Sequence, residues 1–152
     1  MRHPLILAAV AALALAVPAS AQSAPVTRDD SLALGRKYVK WIYEDQADSL
    51  WARVDERLRG MMGSKEALSR DNVGLIVSFG AETEVVGETV SARDGNLVYT
   101  REVRFESRPE ESRVWTFVIA PDGTIKDAKF QSKAEADEAR QKADSAAAKP
   151  AN

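Results

Sequence analysis

Glu88 and Arg101 are the two side chains of this sequence best placed to do chemistry together. Asp94-Gly95 separates two runs of strand-forming residues. A two-residue loop is the commonest hairpin connection for that dipeptide. With that loop closed, Arg93 faces Asn96, Val90 faces Tyr99, Glu88 faces Arg101 and Val86 faces Val103. One face then carries Val86, Val90, Ala92, Leu97, Tyr99, Val103 and Phe105, with Glu88 and Arg101 as its only charged members. The other carries Thr100, Glu102, Arg104 and Glu106. A charge on a buried face has to be paired and hydrogen-bonded. Two readings fit. In one, the face lines a wet cavity, Arg101 meets an anionic or carbonyl-bearing ligand and Glu88 holds it in place. In the other, the two form a structural cross-strand ion pair.

Tyr38, Trp41, Trp51, Tyr99, Trp115 and Phe117 are a second candidate set. They either line a pocket for an apolar or ring-bearing ligand or fill the core, as their helical and strand spacing demands. Glu44, Asp45 and Asp48 cluster between two helical patterns. Acid–base chemistry would need one carboxylate desolvated and aimed into the cavity beside a tyrosine hydroxyl. Asp48 with Tyr38 is the pair to test. The alternative is a solvated corner that caps the following helix. Met61-Met62, between two glycines, is either an adaptable contact surface or the closed bottom of the core.

Histidine and cysteine usage sets firm bounds. The only histidine is His3 and there is no cysteine. Ser-His-Asp and Cys-His catalysis are excluded from the mature chain, as are zinc sites built on those residues. No Asp-x-Asp-x-Asp-Gly calcium loop occurs. No cofactor is implied.

Three helical segments and four strands have to position these residues. The first helix starts at a cap from Asp29, Asp30 or Ser31. It carries Leu34, Tyr38, Trp41 and Ile42 on one face. Glu44-Asp45-Gln46 breaks the pattern. Ala47, Leu50, Trp51, Val54 and Leu58 resume it as one second helix, ended by Gly60 and Gly63. Ser64 caps a third, whose face is Leu68, Asn72, Leu75, Ile76 and Phe79, with Gly80 as its stop. Asn72 is the polar member of that face and is expected to be paired locally or near the rim.

Strands are expected at Glu84–Ala92 and Asn96–Glu106. A turn at Arg108-Pro109-Glu110-Glu111 then sets Trp115, Phe117 and Ile119 in line with Phe105, Val103 and Arg101. Ala120-Pro121-Asp122-Gly123 makes the last turn. Ile125 has the opposite parity to Ala128 and Phe130, which a bulge near Lys126-Asp127 reconciles.

The ends read differently. Arg2, the 13-residue apolar run Leu5–Val17 and Ala19-Ser20-Ala21 have the form of a signal peptide over residues 1–21. The apolar run is too short to span a bilayer, which needs about 20 residues. No membrane anchor is expected after cleavage, and the expected compartment is the bacterial periplasm or the exterior. Residues 22–28 form a short polar lead. The domain then occupies 29–131, and 132–152 is a tail without large apolar residues, either disordered or a solvated helix. Without Arg2 the remainder has 20 basic residues against 23 acidic ones, a net charge of −3. That is no footprint for nucleic acid, which calls for a basic patch.

This order, with the broken helix pair Gly35–Met62, the helix ending at Phe79-Gly80 and the Asp-Gly hairpin Trp115–Phe130, resembles the nuclear-transport-factor-two-like superfamily. The likeness runs from about Leu32 to Phe130 and is nearest to small secreted bacterial domains often fused ahead of α/β-hydrolases. It implies an α+β cone, three N-terminal helices on a curved four-stranded antiparallel sheet, with a cavity between sheet and helices. It carries over no catalytic motif. The resulting expectation is a secreted, non-enzymatic module for a small molecule or protein partner, with Arg101, Glu88, Tyr99, Tyr38, Trp41, Trp115 and Phe117 as binding residues. Two alternatives remain open: a metal-free isomerase or lyase using Asp48 or Glu88 as base, and a homodimer joined through Val114 and Val118 on the outer sheet face.

Overall fold

Among the described residues, four helices, four strands and a fifth helix follow one another without interleaving. The computed structural model describes residues 28–147. The expected signal peptide and nearly all of the lead lie outside the described residues. The helices are α1 (Arg28–Tyr43), α2 (Ala47–Arg53), α3 (Glu56–Met62) and α4 (Lys65–Phe79). The strands are β1 (Glu82–Arg93), β2 (Asn96–Phe105), β3 (Arg108–Ile119) and β4 (Ile125–Ser132), and α5 spans Lys133–Ala147. The strands form one open antiparallel sheet in the order β1-β2-β3-β4. The fold is α+β, as expected, but the helix count differs from three.

The second expected helix is two. Val54 adopts an extended conformation, ending α2. Asp55 then caps α3, its side chain accepting the Leu58 N–H at 2.8 Å. The break lets Val54 form a parallel bridge with Ile125, while the Asp55 N–H donates to the Ile125 carbonyl at 3.0 Å. Leu50, Val54 and Leu58 are all buried, so helical spacing runs straight across a break that it does not reveal. The break at Glu44–Gln46 falls where the pattern placed it, with Asp45 in the left-handed region at φ 47°.

The hairpin register is correct at Glu88–Arg101 and Val90–Tyr99. It fails at Val86. Register shifts on either side of Thr83 and Val86 make bulges there, so Val85 opposes Val103 and Val86 is the extra, exposed residue. The next pairing is displaced by four residues. Tyr99 opposes Phe117 and Arg101 opposes Trp115, because Arg108 already pairs with Phe105. Arg108–Glu111 is strand rather than turn, and Pro109 sits in the irregular stretch before Arg113, where its missing N–H costs no ladder bond. An even displacement keeps every side chain on its expected face. In β4, Lys126 is the bulge residue, so Ile125, Ala128 and Phe130 share the inner face as anticipated.

The core lies between this face and the helices, around Tyr38, Tyr99, Phe105, Phe117, Ile119 and Ile125. α1 crosses β2 at Gly35, where a Cβ would sit 2.2 Å from Cγ of Tyr99. α4 packs chiefly on α1, α2 and α3. Its Phe79 reaches the sheet, 5.3 Å from the Phe105 ring and 5.2 Å from that of Phe130.

Of the tail, Lys133–Ala147 forms the helix α5. Ser132 and Glu135 form a capping box, and α5 packs back on β3 and β4. Val114, expected as part of a free outer face, is 3% exposed.

Candidate functional site

Two constructions occupy the helix side of the sheet: a polar network and an apolar cavity. The network contains the predicted ion pair. Oε1 of Glu88 accepts the Tyr99 hydroxyl at 2.6 Å and Nη1 of Arg101 at 2.7 Å. Its Oε2 accepts Nη2 and Nε of Arg36 from α1 at 2.6 and 2.9 Å. Arg101 also donates from Nη2 and Nε to Oε2 of Glu82, at 2.5 and 3.2 Å. The Tyr43 hydroxyl donates to Oε1 of Glu82 at 2.8 Å and accepts the Trp115 indole N–H at 3.2 Å.

Arg101 is thus held between two carboxylates, and each of their four oxygens has a donor. Burial alone would raise the Glu88 carboxyl, but the bonds from Arg36, Tyr99 and Arg101 outweigh it and hold it near 2. Burial, reinforced by the neighbouring carboxylates, pushes the Tyr43 and Tyr99 hydroxyls well above the usual phenol range. Burial opposes the charge on Arg101, and its bonds to Glu82 and Glu88 more than restore it. A general base working near neutral pH needs the reverse arrangement for its carboxylate. The network instead ties α1 to β1 and β2.

Glu82, Tyr43 and Arg36 belong to this site and were not read from the sequence. Glu82 reaches Arg101 because the bulges at Thr83 and Val86 re-aim the start of β1. Strict alternation gives Glu82 the parity of Glu88 but sets it two residues further from Arg101 than the bulged strand does.

The cavity lies between α4 and the strands β3 and β4. Its volume is about 280 Å³. Leu68, Asn72 and Leu75 of α4 form one wall, and Trp115, Phe117, Ala128 and Phe130 form the other. Ile42, Leu50, Val54, Met62 and Ile125 close the sides, with Asp71 and Lys129 also lining it. The Trp115 and Phe117 rings lie nearly parallel, 9° apart in plane, and Phe130 packs 4.4 Å from Trp115. The cavity exists because α4 reaches the strands through Phe79 while its earlier turns rest on other helices.

Asn72 corrects its expectation. It is 5% exposed, and its amide nitrogen Nδ2 has no hydrogen-bond partner. Neither a local partner nor a rim position satisfies that donor.

The other predicted residues divide between these settings. Trp115 and Phe117 line the cavity. Tyr99, Glu88 and Arg101 are in the network. Tyr38 is sealed in the core, its hydroxyl donating to the Gly123 carbonyl at 2.5 Å. Trp41 packs against the Tyr38 ring at 5.6 Å, with the Lys37 ammonium 4.7 Å from its own ring. Asp48 is elsewhere: its side chain is 86% exposed and bonds Lys65 at 2.5 Å. It lies in an open groove with Asp45, whose two carboxylate oxygens meet the Ser69 hydroxyl at 2.9 Å. Asp48 and Tyr38 therefore do not form a catalytic pair, and Asp48 is not desolvated.

Among the described residues no group of three or more His, Cys, Asp or Glu side chains is arranged to hold a metal ion. No described helix is long and apolar enough to cross a membrane. No protein-family model, curated protein or solved structure matches the chain.

Proposed function

We propose that this protein is a secreted or periplasmic bacterial binding module of nuclear-transport-factor-two-like architecture. It holds a small apolar molecule between α4 and β3–β4 without performing chemistry on it. The observation that carries this reading is the cavity itself: about 280 Å³, floored by Trp115 and Phe117 and left open by a helix whose contact with the strands runs through Phe79. Its size lies just under the roughly 300–1,000 Å³ usual for small-ligand sites, and its mostly apolar lining, with Asp71, Asn72 and Lys129 as the polar members, matches their character. The polar network supports the reading by positioning Trp115, whose indole N–H is fixed by Tyr43. Arg101, satisfied by Glu82 and Glu88, acts as a brace and not as the anion receptor that its sequence position suggested.

The test is native mass spectrometry of the protein exported to the periplasm, set against its denatured mass. The expected result is a copurifying molecule that is absent from Ala128→Leu, which fills the cavity from β4. Wild type without bound mass, whose cavity resonances are also unmoved by periplasmic small-molecule extract, would refute the reading.

A further inference from the structure

We infer that this protein forms a two-fold dimer in which the free edge of β1 pairs antiparallel with β1 of a second copy, centred on Val90. The inference stands apart from the binding reading, since no β1 residue lines the cavity. It also differs from a contact through the outer sheet face, where Val114 is buried. It starts from the two edges of the sheet, β1 and β4, which the chain treats differently. An edge strand presents unpaired N–H and C=O groups to other strands. On β4 the chain's own groups occupy them. The Asp55 N–H donates to the Ile125 carbonyl at 3.0 Å, and Nη2 of Arg57 donates to the Lys126 carbonyl at 2.7 Å. The Ala128 N–H donates to Oδ1 of Asp127 at 3.1 Å, and the Ser132 N–H to Oε2 of Glu135 at 2.9 Å. The β4 edge is largely shut.

The β1 edge has no such cover. Asp94 and Gly95 both have positive φ, 50° and 73°, which makes the β1–β2 connection a two-residue hairpin of type I′. The flanking Arg93 and Asn96 then exchange their backbone bonds. Alternation along the ladder turns the N–H and C=O of Ala92, Val90 and Glu88 away from β2. Among the described residues these backbone groups have no other partner. The devices that protect an edge crowd the other half of β1: the bulges at Thr83 and Val86 and the exposed carboxylate of Glu84. Gly87–Arg93 runs in regular register, and its one carboxylate, Glu88, is folded back onto Arg36, Tyr99 and Arg101.

A second copy is the occupant this edge fits. A heterologous contact of β1 with β4, which would run on into a filament, finds β4 shut, whereas β1 against β1 closes on a two-fold axis. Val90 bisects Gly87–Arg93 and is itself an outward residue. With Val90 opposite its own copy, Glu88 meets Ala92 of the second copy, so all three outward residues pair and about six hydrogen bonds form. A shift of the register by one alternation loses one of those pairs. On the outer face Thr89 meets Ser91 of the second copy. Arg93, which has no ion pair among the described residues, crosses Gly87 of the second copy, whose missing Cβ clears its way toward Glu84 on the same face.

The experiment uses the full exported chain in sedimentation velocity from roughly 10 μM to 1 mM, where small interfaces associate, with amide exchange followed by NMR. The expected result is a concentration-dependent dimer in which the Val90 and Ala92 amides exchange more slowly as it fills. Ala92→Pro removes an outward N–H that makes no ladder bond within the subunit. It is expected to weaken the dimer roughly tenfold or more, since symmetry removes the bond twice. Circular dichroism checks that the variant folds. Thr89→Glu combined with Ser91→Lys tests the register without proline, at two exposed positions. The new charges oppose each other across the axis, and the double variant is expected to dimerise roughly two- to thirtyfold more tightly than Ser91→Lys alone.

A monomer throughout that range overturns the inference. So does a dimer that a folded Ala92→Pro leaves unchanged, or a double variant no tighter than Ser91→Lys, because the contact then lies elsewhere or in another register. Val90 and Ala92 amides already protected in the dilute monomer also overturn it, since a foreign strand then holds the edge.

Discussion

Gly35→Ala tests the packing that orients the whole helical layer. The added methyl would lie 2.2, 2.4 and 2.5 Å from three atoms of the Tyr99 ring. Carbon atoms at optimal contact are about 3.5–4.0 Å apart, so ring or helix has to move by more than an ångström. The ring has nowhere to go. Tyr99 is fully buried, its ring is 6.2 Å from that of Phe117, and its hydroxyl is bonded to Glu88 at 2.6 Å. Overpacking of this kind costs about 1–3 kcal/mol. Loosening the bond to the charged Glu88 adds about 1.5–3 kcal/mol, and alanine returns about 1 kcal/mol of helix propensity. The net destabilisation is about 1.5–5 kcal/mol. For a domain of this length, thermal unfolding should drop by roughly 6–20 °C.

The assay is thermal and urea unfolding followed by circular dichroism, run as a double-mutant cycle with Tyr99→Val. In the valine background, where the ring is gone, Gly35→Ala should be neutral or stabilising by up to about 1 kcal/mol. A Gly35→Ala protein as stable as wild type, or a penalty that persists unchanged in the valine background, refutes the proposed contact.

Three further outcomes follow. Glu88 titrates near 2 when folded, below its ordinary value of 4.5, so its contribution is complete above about pH 4.5 and is lost as pH falls toward 2. Glu88→Gln should flatten the acid limb of a stability–pH profile in that window, and an unchanged limb counts against the network. Arg101→Met leaves the half-buried Glu82 carboxylate without a cation, while Glu88 keeps Arg36, and should cost about 1.5–3 kcal/mol in urea unfolding. Any copurifying molecule should still be found in the variant's native mass spectrum, a direct test of Arg101 as brace rather than receptor. Asp48→Asn, at an exposed pair with Lys65, should leave the melting temperature within error, since such surface pairs are worth little.

Much of the sheet was legible because strand periodicity is robust to an even displacement. Tyr99, Phe117 and Ile125 were assigned to the right face although the β2–β3 pairing stood four residues off. The Glu88–Arg101 pairing followed from a two-residue loop that the chain does adopt. The bulge at Val86 had a signal in Gly87, since a glycine inside a strand often marks one, whereas Thr83 carries no such sign, and Glu82 lies beyond both. The α2–α3 break was masked because Val54 is buried on either reading, although Asp55 is a competent cap in mid-pattern. Asn72 was visible as a polar residue on an apolar face, but whether its amide finds a partner depends on the gap between α4 and the sheet.

The parallel bridge from Val54 to Ile125 also governs the order in which this chain can become stable. Its two ends are 71 residues apart. At roughly 5–20 residues per second of synthesis, Val54 waits about 4–14 s for its partner to be made. Through that interval Leu50, Val54 and Leu58, all buried in the finished protein, have no β4 to cover them. The first half of the chain is therefore an apolar-faced nascent segment until the last strand arrives. A fragment ending at Ala120 would keep that exposure permanently, and the final hairpin acts as the closing clasp of biosynthesis.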